Sequence, residues 1–356
     1  MRIAFVISSL SNGGAEKVMS LLANYFVKHN EVFLILLCKQ EIVYDIDDNI
    51  NLIELNCCKK SVNIIDGIKN NIYRYKKLKN KITEIKPDII ISFLTQTNIL
   101  SILVANSLNI PIISSEHSVY NAEKSKIWKL LRRHLYKKSN YVVTLTLSDL
   151  KHYNFLQHVT NISNPLLINH KNNNLIKDRE NIVLAVGRLH KVKQFDILIK
   201  VFSQIKTDYK LVILGEGEER KKLEKIIKEK NLEKRVFLKG QVKNVNDYYQ
   251  KSKIFVLCSK YESFSNVLLE AMGNGCACIS FDCPYGPREI ITDKKDGILV
   301  KNQDQDALKQ AIENLIKDES YQQKLSTNAI KSSQRFDYKN VMQKWEKLID
   351  KLITQN

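Results

Sequence analysis

The distribution of hydrophobic and polar positions is the first guide to the fold of this chain. Apolar runs of strand length alternate with segments of helical periodicity, which is typical of strands separated by helices. The runs predict strands at Ile3–Ile7, Val32–Cys38, Ile89–Phe93, Ile110–Ser114, Tyr141–Leu145, Ile182–Val186, Lys210–Leu214, Val236–Leu238, Ile254–Cys258 and Ala277–Phe281. This alternation predicts parallel sheets built from βαβ units, and therefore an α/β fold.

A break in the pattern divides the chain. Asn164-Pro165 opens a polar stretch that continues to Glu180 and has the composition of a linker. We predict an N-terminal Rossmann-like domain at 1–164, a linker at 165–180 and a C-terminal Rossmann-like domain at 181–356. Whether the last helix packs back on the first domain stays open. Two doubly wound domains predict a cleft, because ligands of open α/β sheets bind outside the carboxyl ends of the strands.

Composition narrows the class of protein. The chain has 356 residues, of which 44% are hydrophobic, and this fits a soluble protein of two domains. Its formal net charge of +18 favours an anionic partner: a nucleic acid, a membrane surface or a phosphorylated substrate. The seven cysteines lack the spacing of a disulfide framework, so we expect reduced thiols in a cytosolic protein. No apolar stretch has the length of a transmembrane helix, and the first ten residues resemble a strand more than a signal peptide.

Candidate ligand-binding residues follow the predicted strands of the first domain. Gly13 and Gly14 come after the first strand and would let the backbone approach a phosphate closely, although such a turn is also common without a ligand. His117 follows the strand that starts at Ile110, where an imidazole facing the cleft would contact a ligand, although a structural histidine is an equal alternative.

Basic residues follow the first strand of the second domain. Gly187 and Arg188 end that strand, and Lys193 precedes the next helix. A guanidinium fork and an ammonium point charge at one turn suit a diphosphate, although two solvated charges are an equal alternative. Gly215 and Glu216 form a similar exit from the next strand.

Two glutamates frame a third candidate segment. Glu262 and Glu270 lie eight positions apart, with the good N-cap residues Ser265 and Asn266 between them. The pattern predicts a helix over 266–272 whose first amides point toward Glu262 and attract an anion. Two glutamates flanking a solvated helix would look the same.

Taken in order, these motifs resemble glycosyltransferase family 4, whose members are retaining enzymes of the GT-B fold. The resemblance covers nearly the whole chain: Gly-Gly-Ala-Glu after strand one, Val-Gly-Arg-Leu with Lys193, Leu-Gly-Glu-Gly, and Glu262 with Glu270. Asp282-Cys-Pro-Tyr-Gly-Pro-Arg-Glu-Ile-Ile and Ser-Glu-His-Ser resemble bacterial transferases of surface polysaccharide and lipid-linked oligosaccharide assembly, including N-acetylgalactosamine transferases of N-glycan assembly. Ser263 and Gln194 depart from the family, which usually has glycine at both positions.

The resemblance implies a role for each candidate. Arg188 and Lys193 would hold the diphosphate of a nucleotide-sugar, Glu270 the ribose and Glu262 the sugar hydroxyls, while His117 would meet the sugar from the first domain. Arg188, Lys193, Glu262 and His117 are thus the predicted catalytic group. The other predicted donor-binding residues are Gly13, Gly14, Gly187, Gly215, Glu216, Phe264, Ser265, Asn266, Val267 and Glu270.

The chemistry of transfer is electrostatic. Breaking the sugar–phosphate bond builds negative charge on the diphosphate, which fixed cations stabilise. The resemblance implies retention of the anomeric configuration, with no metal and no other cofactor. Asp45-Ile46-Asp47 imitates the metal-binding motif of the other glycosyltransferase fold, and we assign it to a loop.

Seven cations without an acid occupy positions 124–138, and Ile127, Trp128, Leu130, Leu131 and Leu135 give the same segment an apolar stripe. This is the pattern of a basic amphipathic helix, which can lie on an anionic membrane or be an ordinary solvated face. The resemblance implies that its cations contact the pyrophosphate of a polyprenyl-linked acceptor: Lys126, Lys129, Arg132 and Arg133. A second cluster of cations would also attract an anionic membrane: Arg74, Lys76, Lys77, Lys79 and Lys81.

The expected protein transfers a hexose or N-acetylhexosamine from a UDP-sugar to a polyprenyl-diphosphate-linked saccharide, in bacterial glycan, capsule or O-antigen assembly. UDP-GalNAc is the first choice of donor, followed by UDP-Gal, UDP-Glc and UDP-GlcNAc. We expect attachment to an anionic membrane at the inner face of the cytoplasmic membrane, and no nucleic-acid partner. The alternatives are a nucleotide-sugar epimerase of the same fold and a basic nucleic-acid-binding protein.

Overall fold

The computed structural model describes residues 1–11, 13–59, 61–123, 125–167 and 176–354. They form two units, the first made of residues 1–165 and 339–356 and the second of residues 166–338. The first stretch of the first unit therefore ends at residue 165, one residue after the predicted end of the N-terminal domain. The last helix belongs to the first unit. Residues 168–175 of the predicted linker lie outside the described residues.

The first unit contains a parallel sheet of seven strands in the order β3-β2-β1-β4-β5-β6-β7. The strands are β1 Arg2–Ile7, β2 Glu31–Leu36, β3 Asn51–Glu54, β4 Ile89–Phe93, β5 Ile112–Glu116, β6 Tyr141–Thr144 and β7 Val159–Asn161. The helices are α1 Gly14–Phe26, α2 Ile64–Ile85, α3 Thr95–Leu108, α4 Lys126–Leu135 and α5 Leu147–Leu150. The central strands are buried on both faces, which explains their nearly continuous apolar sequences.

The second unit contains a parallel sheet of six strands in the order β10-β9-β8-β11-β12-β13. The strands are β8 Glu180–Val186, β9 Lys210–Leu214, β10 Val236–Gly240, β11 Ser252–Leu257, β12 Ala277–Asp282 and β13 Ile298–Lys301. The helices are α6 Phe195–Ser203, α7 Arg220–Glu229, α8 Val245–Lys251, α9 Asn266–Gly273, α10 Gly286–Ile290, α11 Gln305–Lys317 and α12 Glu319–Ser333.

All ten predicted strands are present, and the three that were missed are edge strands. Side chains of β3, β7 and β13 are mostly exposed or half-buried, and these strands have only four, three and four residues, so their apolar signal is short or absent. The prediction for β5 started two residues early, because the strand begins after Pro111, which has no N–H to give to a sheet.

The last helix, α13 Tyr338–Thr354, packs within the first unit. Its apolar stripe is buried: Trp345, Leu348 and Leu352 are 2%, 8% and 4% exposed. The indole of Trp345 lies 6.1 Å from the ring of Phe93, and the hydroxyl of Tyr25 donates to Glu346 at 3.0 Å.

The expectation that every cysteine is reduced is wrong for one pair. Cys38 and Cys58 form a disulfide, with their Cα atoms 5.1 Å apart. The two cysteines follow β2 and β3, and the parallel pairing of these strands brings the segments after them side by side. Cys57, Cys258, Cys276, Cys278 and Cys283 are free and buried. Among the described residues, the helices are all too short or too polar to cross a membrane.

Candidate active site

The candidate residues of the second unit lie at one edge of its sheet. Neighbours β9, β8, β11 and β12 are parallel, so their carboxyl ends meet at the same edge. The loop after β8 carries Arg188 and Lys193, the loop after β9 carries Glu216, and the loop after β11 carries Glu262. The structure therefore gathers these four side chains from three separate loops onto one edge.

Glycines allow these loops to come close together. A Cβ atom at Gly215 would lie 2.1 Å from the carbonyl oxygen of Gly187, and Gly215 has a positive φ of 129°. A Cβ atom at Gly286 would lie 2.6 Å from the carbonyl oxygen of Phe264. Backbone atoms occupy the positions that a side chain would need, so both glycines are required by packing.

An ion pair joins two of the loops. The Nζ atom of Lys193 lies 2.6 Å from Oε1 of Glu262, and the hydroxyl of Ser259 donates to the same oxygen at 2.6 Å. The side chains of Lys193 and Glu262 are 22% and 11% exposed, so solvent screens the pair incompletely. Both contacts fall on Oε1, and within the described part of the chain Oε2 keeps its capacity to accept from a ligand hydroxyl.

Gln194, at the position where the resemblance implies glycine, has a backbone conformation that glycine adopts more easily. Gln194 adopts a left-handed conformation with φ 52° and ψ 37°, immediately before α6. Such a conformation costs a residue with a side chain more than it costs glycine. The turn is fixed further by His190, whose Nδ1 accepts from the amide of Val192 at 3.2 Å.

Helix α9 begins where the pattern predicts, but its cap differs. Ser265 precedes the helix in a left-handed conformation, φ 75°, and its side chain does not bond the first-turn amides. Its Oγ atom is buried and lacks a hydrogen-bond partner among the described residues. Ser265 is thus the N-cap residue by position, and its left-handed conformation keeps its side chain from bonding the first-turn amides.

Glu270 is held by a residue that sequence reasoning missed. The hydroxyl of Tyr249, on α8, donates to Oε2 of Glu270 at 3.1 Å. Burial, and then the charge of Glu270, raise the pKa of Tyr249 well above its usual value, so this phenol remains a donor. Tyr249 stands in a polar helix pattern far from the motif, and only the fold brings it to Glu270.

Phe264 anchors the loop before α9. Its ring is 1% exposed and packs edge-on against Phe336, with 5.5 Å between the ring centroids. The amide of Gly286 donates to the carbonyl of Glu262 at 3.2 Å, which ties this loop to the one after β12. The motif at 282–291 therefore supports the Glu262 loop from the next strand.

Arg188 and Glu216 have contrasting surroundings. The guanidinium of Arg188 is exposed and makes no ion pair or hydrogen bond with another described residue. Oε1 of Glu216 lies 2.5 Å from Nη1 of Arg220, one helical turn away. Of the two, Arg188 has the charge that is available to a ligand.

His117 belongs to the first unit. Its ring is buried, stacks on Phe93 at 4.1 Å between centroids, and places Nε2 3.2 Å from the hydroxyl oxygen of Ser115. Burial lowers the pKa of His117 from 6.5 to about 3, so the imidazole is neutral at physiological pH. Its Nδ1 is buried without a hydrogen-bond partner among the described residues.

Gly13 and Gly14 lie at the start of α1. Gly13 is the N-cap; its amide donates to the hydroxyl of Tyr44 at 3.1 Å, and that hydroxyl donates to the carbonyl of Gly13 at 2.7 Å. A Cβ atom at Gly13 would meet the carboxylate of Glu16, which is a flexible end. The fold thus tolerates a side chain here.

The basic helix forms as α4, but one of its cations faces inward. Lys126, Lys129 and Arg133 are exposed, and the apolar residues Ile127 and Leu130 are 66% and 58% exposed.

Arg132 is 1% exposed, so its prediction as a membrane- or acceptor-facing residue is wrong. Its Nη2 atom donates to the carbonyl of Tyr120 at 2.8 Å, and its guanidinium lies 3.9 Å from the centre of the Tyr120 ring. Position 132 falls on the inward face of the helix, where an aromatic pocket accepts the cation.

Comparison with known proteins identifies the family. The chain matches Glycosyltransferase Family 4 over residues 12–160 and Glycosyl transferases group 1 over residues 168–332. It is 32% identical, over 98% of each chain, to a Campylobacter jejuni enzyme, GalNAc-alpha-(1->4)-GalNAc-alpha-(1->3)-diNAcBac-PP-undecaprenol alpha-1,4-N-acetyl-D-galactosaminyltransferase. The chain belongs to glycosyltransferase family 4.

A second relative and a solved structure agree with the enzyme class and with the fold, respectively. A second Campylobacter jejuni enzyme, N-acetylgalactosamine-N,N'-diacetylbacillosaminyl-diphospho-undecaprenol 4-alpha-N-acetylgalactosaminyltransferase, is 30% identical and covers 94% of this chain and 96% of its own. Anabaena HepE, solved in complex with UDP and glucose, has a TM-score of 0.81 at 17% identity, over 99% of this chain and 100% of its own. The predictions of a glycosyltransferase and of the GT-B fold are confirmed.

Proposed function

We propose that this family 4 enzyme transfers an N-acetylhexosamine, with GalNAc as first choice, from a UDP-sugar to a saccharide on polyprenyl diphosphate. The observation that carries the proposal is the Lys193–Glu262 ion pair beside the exposed Arg188 at the strand ends of the second unit. The choice of sugar and acceptor is supported by two relatives at 30% identity or more, which are named as N-acetylgalactosaminyltransferases for undecaprenol-linked saccharides.

The diphosphate of the donor would bind Arg188 and Lys193. Arg188 has an uncompensated guanidinium fork, whereas Lys193 is already oriented by Glu262 at 2.6 Å. The negative charge that develops on the leaving nucleotide would strengthen both contacts, and an interaction that is stronger in the transition state lowers the barrier. The amides of Phe264, Ser265 and Asn266 would lie near the sugar and the phosphate.

The remaining groups would orient the donor. Oε2 of Glu262 would accept from a hydroxyl of the sugar, because the Lys193 and Ser259 contacts both use Oε1. Glu270, fixed by the Tyr249 hydroxyl, would accept from the ribose hydroxyls. Val267, Gly187 and Gly215 would shape the backbone around the nucleotide.

We further propose that the reaction retains the anomeric configuration and proceeds without a metal ion. The leaving phosphate would take the proton of the acceptor hydroxyl on the same face as the departing bond. His117 would contribute as a neutral hydrogen-bonding group, because its pKa of about 3 leaves no charge at physiological pH. Gly13 and Gly14 would allow the first loop to approach the acceptor or the phosphates.

The acceptor would reach the enzyme at a membrane. Exposed Lys126, Lys129 and Arg133 on α4 would meet the acceptor pyrophosphate or anionic headgroups, and exposed Ile127 and Leu130 would enter the interface. Attachment would be peripheral, at the inner face of the cytoplasmic membrane.

A transfer assay tests the proposal. Purified enzyme is given UDP-GalNAc, UDP-GlcNAc, UDP-Gal or UDP-Glc, with and without a polyprenyl-diphosphate saccharide, and UDP release is measured. We expect release with UDP-GalNAc when the acceptor is present, an α-linked product by NMR, and the same rate in EDTA. Conversion of the donor to its epimer without acceptor, or loss of the rate in EDTA, would contradict the proposal.

Membrane attachment has its own test. Sedimentation with vesicles of phosphatidylglycerol or of phosphatidylcholine, at moderate salt, should show the enzyme in the anionic pellet. Equal sedimentation with both lipids would contradict the proposed attachment, and preferential binding to DNA would favour the nucleic-acid alternative.

A further inference from the structure

The first unit contains an apolar groove, most of whose lining takes no part in the proposed donor and acceptor contacts. It has a volume of about 1320 Å³ and is lined by residues of α2, α3 and α4, with the Cys38–Cys58 disulfide on one wall. The apolar lining includes Ile68 and Ile72 of α2, Leu103 of α3, and Ile127, Trp128 and Leu131 of α4.

The rim of this groove exposes large apolar side chains. Ile64, Ile68 and Ile72 follow one another at four-residue spacing along a single face of α2, and they are 79%, 56% and 50% exposed. Leu103, which also lines the groove, is 41% exposed. A contiguous patch of this kind marks a site where apolar surface is removed from water.

The charge around the groove indicates an anionic partner. Arg74 lines the groove, and its guanidinium donates to two neutral acceptors, the carbonyl of Cys57 at 3.4 Å and Oδ1 of Asn71 at 3.2 Å. No carboxylate of a described residue pairs with it. Glu123, an acid of the lining, accepts from the amide of Ser125 at 2.8 Å.

The helices that flank the groove carry further cations. Helix α4 has Lys126, Lys129, Arg132 and Arg133 and no acid, and α2 has six cations against Asp66 and Glu84. Glu84 is paired with Lys81 at 2.6 Å. A second copy of the chain, docked face to face, would bring like charges together, so the groove favours a partner that is apolar and negatively charged.

We propose that this groove binds the polyprenyl chain of the lipid-linked acceptor, with Arg74 beside its phosphate end. The inference rests on the proposed function, and it assigns the hydrocarbon of the acceptor to α2, α3 and α4 of the first unit. Each buried methylene of the chain contributes to binding, so recognition depends on chain length.

The test compares acceptors that carry the same diphosphate and saccharide on a chain of two or of eleven isoprene units, in detergent micelles. For the wild type we expect kcat/KM to be at least about tenfold higher with the long chain, because each 1.4 kcal/mol of apolar burial corresponds to tenfold in affinity. Ile68→Ser and Ile72→Ser should remove most of this preference and leave the rate with the short chain unchanged.

Control variants separate the groove from a general apolar surface. Ile65 and Val62 are 64% and 91% exposed and do not line the groove. Ile65→Ser and Val62→Ser should keep the full preference for the long chain. Equal losses in the control and groove variants, or equal kcat/KM for both chains in the wild type, would overturn the proposal while transfer to the short acceptor still supports the function.

A binding measurement does not depend on catalysis. The chain has two tryptophans, and Trp345 is 2% exposed, so Trp128 in the groove is the accessible reporter. A long bromoalkyl phosphate below its micelle concentration should quench Trp128 saturably, and Ile68→Ser should weaken its apparent Kd about tenfold. Bromoethyl phosphate is the short-chain control.

The two outcomes are distinguishable. Saturable quenching without transfer to any acceptor would keep the groove and reject the proposed function. Absence of quenching, or equal quenching by bromoethyl phosphate, would reject the groove.

Discussion

The loops at the sheet edge of the second unit and the helical face of the first unit are built in opposite ways. In the second unit the charged groups are mostly held by partners: Lys193 by Glu262, Glu262 by Ser259, and Glu270 by Tyr249. On the first unit, the side chains that face solvent are Ile64, Ile68 and Ile72 of α2 and Lys126, Lys129 and Arg133 of α4.

The difference shows what each region requires from its ligand. A site with fixed side chains selects a ligand by geometry, which suits a reaction that depends on positioned charges. A surface with uncovered apolar and cationic groups gains stability when a partner supplies apolar area and negative charge, which suits a lipid. The predictions below test whether the two regions are separate in function.

Removal of Arg188 should have the largest effect on transfer. Arg188→Ala removes an exposed cation that has no partner in the described chain, so we expect a loss of about a hundredfold or more in kcat with an unchanged melting temperature. Lys193→Ala should lose a similar factor. Lys191→Ala, an exposed cation in the same turn, is the control, and a near-normal rate for folded Arg188→Ala would remove the proposed phosphate contact.

Gly215→Ala should damage the donor loops through the backbone. Its Cβ atom would lie 2.1 Å from the carbonyl oxygen of Gly187, at a φ of 129°. We expect a loss of about 3 kcal/mol in stability and weaker UDP binding, measured by thermal unfolding and calorimetry. Gly67→Ala, whose nearest contact is 4.0 Å away, is the control. Equal behaviour of the two variants would contradict the close approach of the loops.

Substitution of Arg132 should affect stability, whereas substitution of Arg133 should affect membrane binding. Arg132→Ala loses the contact with Tyr120 and a buried hydrogen bond, so we expect a decrease of about 2 kcal/mol in stability. Arg133→Ala should retain stability and weaken sedimentation with anionic vesicles. If Arg132→Ala keeps the stability of the wild type and binds anionic vesicles more weakly, Arg132 lies on the exposed face of α4 and the account of its burial is contradicted.

Because of His117, the free energy of unfolding should decrease as the pH falls below 6.5. Its pKa falls from 6.5 when unfolded to about 3 when folded, so the unfolded state binds the extra proton between these values. Stability from the neutral imidazole is complete above pH 6.5 and decreases by about 1.4 kcal/mol for each pH unit below it. His117→Asn should flatten this decrease, as measured by melting temperatures at pH 7.5 and 5.5. Identical pH dependence in both proteins would contradict a buried neutral imidazole.

Much of the fold was predictable because interior strands have distinctive sequences. Ile89–Phe93 and Lys210–Leu214 were located to the residue, since both faces of these strands are buried and their sequences are almost wholly apolar. The edge strand Asn51–Glu54 was missed, because its side chains are largely exposed and carry no such signal.

The site was predictable where a motif is local in sequence. Motif spacing along the chain was enough to predict the positions of Gly187, Arg188 and Lys193. It also predicted the start of α9 at Asn266. Tyr249 and Ser259 were missed, since their contacts with Glu270 and Glu262 depend on how the chain returns along the sheet. The inward side of Arg132 was missed for the same reason: the sequence of α4 shows its cations, and the packing of Tyr120 decides which one is buried.

One crossed measurement tests whether the donor and the lipid bind to separate regions of the enzyme. UDP affinity, and the preference for a long over a short acceptor chain, are both determined for Arg188→Ala and for Ile68→Ser. We predict that Arg188→Ala weakens UDP binding and keeps the chain preference, whereas Ile68→Ser loses the chain preference and binds UDP normally. Loss of both properties in either folded variant would contradict the assignment of donor and lipid to separate regions.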